Sequence, residues 1–141
     1  MTLYILDIDK KTGYAFKNAF IYLIISIVCA LFGAVYEVYS HEVYSYYMIY
    51  SFAFPLIGGT LLFSSIGLFG LKAYPYAVPR NIYHSGIATL TVGSIIQGVL
   101  EIYGTTNRLV KYYWILGVIL VITGILLYII QIIRSKRIYR H

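Results

Sequence analysis

Apolar residues run through this chain in four long stretches, Asn18–Tyr36, Tyr46–Leu71, Ile82–Tyr103 and Tyr112–Ile133, separated by short polar connections. None carries Asp, Glu, Lys or Arg near its middle. Each is close to the roughly 20 residues that a helix needs to cross about 30 Å of hydrocarbon. In hydrocarbon every backbone N–H and C=O must be satisfied within the structure, which leaves helices or a closed barrel. A barrel calls for short segments alternating apolar and polar, whereas runs such as Ile115–Ile133 are apolar on every face. The pattern therefore predicts an all-α integral membrane protein, a single four-transmembrane-helix bundle spanning residues 1–141 with connections too short to hold a second domain.

Composition agrees. Hydrophobic residues make up 60% of the chain and charged ones 11%, against about 25% charged in a typical soluble domain. The cations are unevenly placed. Lys10, Lys11, Lys17, Lys72, Arg80, Arg134, Lys136, Arg137 and Arg140 fall on one side of the expected bundle, leaving Arg108 and Lys111 on the other. The positive-inside rule then puts both termini in the cytoplasm and two short loops outside, as in a multi-pass plasma-membrane protein. The net charge of +6 is explained by anionic lipid headgroups at that face, and no basic domain exists to bind nucleic acid. The first stretch imitates a signal peptide but is longer than a usual h-region and lacks a clean small-x-small cleavage site, so it reads as a retained span. Cys29, the only cysteine, cannot form an internal disulfide and reads as a small apolar packer.

The organisation repeats. Lys17-Asn18 answers to Arg80-Asn81, Glu37-Val38-Tyr39-Ser40 to Glu101-Ile102-Tyr103-Gly104, Tyr46-Tyr47 to Tyr112-Tyr113, and Ile57–Phe63 to Ile122–Tyr128. The offsets of 63, 64, 66 and 65 share one register with small slips. Two duplicated helical hairpins would give this, with a pseudo-twofold axis along the membrane normal. Gly86 and Gly93, and likewise Gly117 and Gly124, are spaced to lie nearly on one line of a helix. Small residues let helices approach closely in lipid, so these four are the expected packing positions. Ser94 and Gly98 add a small-xxx-small pair, and the third helix should be the most buried. Pro55, followed by Gly58-Gly59, predicts a kink in the second helix.

One candidate site emerges, at the outer end. Glu37 and Glu101 would sit at equivalent depths if the repeat holds, with Gln97 one turn from Glu101 and His41 one turn beyond Glu37 if the first helix continues. Glu37, His41 and Glu101 suit a divalent metal such as Zn²⁺ or Mn²⁺, and two carboxylates that meet would share a proton. The competing reading is that these groups are solvated at the interface. The 17 tyrosines gather at predicted boundaries, where aromatic belts place them. His41 and His84 lie at opposite boundaries, too far apart for a bis-His haem, and His84 reads as an interfacial helix-start residue. No nucleophile elbow, phosphate loop, CxxC or HExxH is present, and no cofactor is expected. A non-catalytic accessory or interaction subunit is the leading expectation, with the bilayer, a second copy or a membrane protein as partner. A small oligomeric transporter or ion pathway using Glu37, Glu101 and Gln97, continuing inward toward Thr89 and Ser85, is the alternative. An enzyme with an outer-face metal comes third.

Overall fold

The computed structural model describes residues 2–69 and 74–138. Lys72, Arg140, His141 and the last two residues of the predicted second stretch, Gly70 and Leu71, lie outside them, as do the side chains of Lys136 and Arg137. The described chain is helical throughout, with no strand among the described residues. It contains four helices long and apolar enough to cross a membrane: Lys10–Tyr39, Tyr46–Leu68, Ala77–Ile102 and Val110–Ser135.

The first of these belongs to α1, Thr2–Tyr39, which starts well before the predicted apolar stretch. The second span is composite. A short helix α2, Tyr46–Ile49, passes into a 3-10 turn at Tyr50–Phe52, then a π-helical segment at Phe54–Leu61, and ends as α3, Leu62–Leu68. The irregularity sits where Pro55 withholds a backbone N–H and its ring crowds the preceding turn. The two glycines that follow tolerate the altered winding. The third span is α4, Ala77–Ile102, beginning five residues before the predicted Ile82, because Pro79 in its first turn needs no N–H partner. The fourth is α5, Val110–Ile138.

The helices lie in a row. α1 packs on the second span, the second span on α4, and α4 on α5. Among the described residues the backbones of α1 and α5 do not approach one another, nor do those of α1 and α4. The seams are written in 3–4 spacing, as in left-handed helix pairs. Among the residues whose side chains are described, the buried positions of α1 are Ala15, Ala19, Tyr22, Ser26, Cys29 and Gly33, and those of α5, each seven after the last, are Val110, Gly117, Gly124 and Gln131. Helix α4 carries two seams at once. Tyr83, Gly86, Leu90 and Gly93 meet α5, while Ile87, Ser94 and Gly98 meet the second span. It buries 39% of its apolar window, against 28% for the first and second spans and 11% for the fourth.

Close approach through glycine holds these seams. A Cβ on Gly86 would lie 2.7 Å from the backbone nitrogen of Val121, and one on Gly124 would lie 2.9 Å from that of Tyr83. Gly117 meets Leu90, and Gly93 meets Tyr113. On the other side, Gly33 of α1 and Gly98 of α4 both close on Met48, which is fully buried between them.

Candidate functional site

The end of the bundle bearing the 40–45 and 103–109 connections is here called distal, and the opposite end proximal. All four residues singled out from the sequence are distal, and a hydrogen bond joins two of them. Glu101 accepts a hydrogen bond from the Ser45 hydroxyl at 2.6 Å on Oε2, and Gln97 Nε2 reaches its Oε1 at 3.4 Å. The Ser45 contact is short because the acceptor is a carboxylate. Ser45 stands immediately before α2, yet its side chain makes no cap bond to its own helix. It ties the second span to the end of α4 instead.

Glu37 stands in the last turn of α1. Its Oε1 is buried and has no hydrogen-bond partner among the described residues. His41 is not one helical turn above it, because α1 stops at Tyr39. The chain then turns through Ser40, His41 and Glu42, and the latter two adopt left-handed backbone angles, φ 52° and 69°. Such a pair of non-glycine residues stores strain of about 1–3 kcal/mol each. The Ser40 hydroxyl braces the turn from 2.7 Å of both the Glu37 and the Val43 carbonyl, with one proton to donate between them. Among the described residues no three His, Cys, Asp or Glu side chains are gathered closely enough to hold one metal ion, so Glu37, His41 and Glu101 do not form a ligand set in this structure.

His41 instead helps line a groove of about 370 Å³ between the distal ends of α1 and α4. One wall is Phe32, Val35, Tyr36 and Tyr39 of α1, and the other is Ile102 and Tyr103. The rings of Phe32 and Tyr36 lie 5.9 Å apart.

A second polar cluster, nearer the proximal end, corrects the reading of His84. That residue is the eighth of α4, not its start, so it sits about 10 Å into the helix at 1.5 Å per residue. Its Nδ1 and the Tyr22 hydroxyl share a hydrogen bond of 2.5 Å. The rings of Tyr22 and Phe63 each lie 5.3 Å from the imidazole. Beside it the Tyr83 hydroxyl donates to the carbonyl of Gly58 at 2.6 Å. The polar stripe Asn18, Tyr22, Ser26 at i, i+4, i+8 of α1 was the available sequence signal, and pairing it with His84 requires the correct start of α4.

The irregular second span is held by such contacts from both neighbours. Ser26 of α1 donates to the Phe52 carbonyl at 3.0 Å, Ser94 of α4 to the Tyr47 carbonyl at 2.7 Å, and Tyr83 to Gly58 as above. Carbonyls displaced from a regular ladder need such partners wherever water is excluded. Thr60 Oγ1, in the π-helical segment, is buried without a partner. At the proximal end Tyr74 joins elements whose backbones stay apart. Asn18 of α1 donates to its hydroxyl at 2.5 Å, Gln131 of α5 donates to its carbonyl at 3.0 Å, and the Arg80 guanidinium lies over its ring.

Thr89 and Ser85, expected on an inward polar path, bond to one another within α4, Thr89 Oγ1 donating to the Ser85 carbonyl at 2.7 Å. No protein-family model matches the chain, and no curated protein or solved structure matches it.

Proposed function

We propose that the chain is an integral membrane protein without catalytic activity, an accessory or interaction subunit that works through its helix surfaces. The observation that carries this reading is where the interior polar groups go. Ser26, Ser45, Tyr83 and Ser94 each bond across a helix seam, so they act as fasteners between helices. Around that fastened interior the fourth span leaves nearly all of its aliphatic surface outward, where lipid or another membrane helix would cover it.

The same reading places the protein in the plasma membrane with both termini in the cytoplasm, on the strength of the cation asymmetry. It also takes the two hairpins as a duplication. What supports that is the set of sequence matches at offsets of 63 to 66.

One observation favours the alternative of an ion or proton pathway. The buried oxygen of Glu37, without a partner among the described residues, is a carboxylate of the kind that can meet a cation in such a pathway. Flux assays on the purified chain in liposomes separate the two readings. An interaction subunit predicts proton and monovalent-cation leak equal to that of empty liposomes, unchanged by Glu37→Gln or Glu101→Gln. Flux above that background that falls in either variant would overturn the proposal.

A further inference from the structure

The distal groove has a chemistry that neither helix packing nor the carboxylates account for. Phe32, Tyr36 and Tyr39 fall at i, i+4 and i+7, so one face of α1 presents three rings, and Tyr103 faces them from the end of α4. At about 370 Å³ the space is within the range of small-ligand pockets, roughly 300–1,000 Å³. No Lys or Arg lines it. Ser40 and His41 line it from the turn after α1, where His41 is held at a strained positive φ, and strain persists only where the surroundings impose it, commonly at ligand sites. A ring of electron-rich faces with no competing cation attracts positive charge, and quaternary ammonium groups above all.

We infer that this groove binds a free organic cation bearing methylated ammonium, seated among Tyr36, Tyr39 and Tyr103 with its apolar body against Phe32 and Ile102. Charge decides against a phospholipid headgroup as the occupant. Its phosphate would find no basic side chain in the lining. The inference is independent of the interaction reading.

The test uses the full chain in nanodiscs of phosphatidylethanolamine and phosphatidylglycerol, which contain no choline. Saturation-transfer NMR follows the methyl protons of choline and of its uncharged isostere 3,3-dimethylbutan-1-ol. The groove predicts choline bound about threefold more tightly than the isostere, the contrast that cation–π contact supplies at a largely exposed seat. Tyr103→Phe, which keeps the ring, should retain choline binding, while Tyr36→Leu and Tyr103→Leu should each weaken it several-fold. Equal binding of the isostere would overturn the proposal by showing a merely apolar groove. So would Leu variants that elute as the parent protein does and bind choline unchanged. Loss of the choline signal in phosphatidylcholine nanodiscs would overturn the assigned source, because a lipid headgroup would then be the occupant.

Discussion

Gly59 has no room for a methyl group. A Cβ there would lie 2.1 Å from Cγ of Tyr22, and Tyr22 cannot swing away without losing its bond to His84 and its stack on Phe63. Gly59→Ala should therefore destabilise the protein by about 1–3 kcal/mol, the usual range for overpacking. Gly13 offers the contrast, because nothing lies within 4 Å of its would-be Cβ. In the middle of α1 it only loosens the helix, so Gly13→Ala should be neutral or stabilising by up to about 1 kcal/mol. Denaturant titration of both variants in detergent checks the pair. Tyr83→Phe removes one hydroxyl and its bond to the Gly58 carbonyl. In a membrane setting such a bond is worth about 0.6 kcal/mol on average and up to about 1.7, and the same titration should read a loss in that range.

At the scale of the element, the second span shows what could be read in advance and what could not. Pro55 and the glycines after it marked the break, because a missing N–H and absent side chains act locally wherever they occur. The 3-10 and π-helical windings on either side could not be foreseen, because they depend on partners 25 to 47 residues away in the chain: Ser26, Tyr83 and Ser94. The start of α4 was misjudged for a different reason. Hydropathy begins at Ile82, but helix geometry begins at Ala77, and that difference of more than a turn puts His84 about two turns inside α4 rather than at its start. Glu37 and His41 failed to share a face because the end of α1 depends on a turn braced by Ser40, which hydrophobic periodicity does not report. The small-residue seams of α4 and α5, by contrast, stood in the chain as Gly86, Gly93, Gly117 and Gly124. Since Ser26 and Ser94 grip the second span from opposite helices, Ser26→Ala and Ser94→Ala should each cost about 0.6 kcal/mol. Their double variant should lose close to the sum, as expected for sites without shared partners. A loss well beyond the sum would mean that the irregular span unravels once either grip is gone.

For the whole molecule, a row of four helices needs something to keep its outer members in place. The glycine seams do this along the row, and Tyr74 does it at the proximal end by engaging Asn18, Arg80 and Gln131 from three helices. The central claim is that all four helices cross a bilayer and that both hairpin turns emerge on the same, outer face. Cysteine accessibility tests it most directly. In a Cys29→Ala background, single cysteines replacing Glu42, Thr106 and Ser135 are exposed in intact cells to a membrane-impermeant maleimide. The account predicts labelling at 42 and 106 without permeabilisation, and at 135 only after it. Labelling of 42 and 106 from opposite sides, or of all three alike in intact cells, would contradict it.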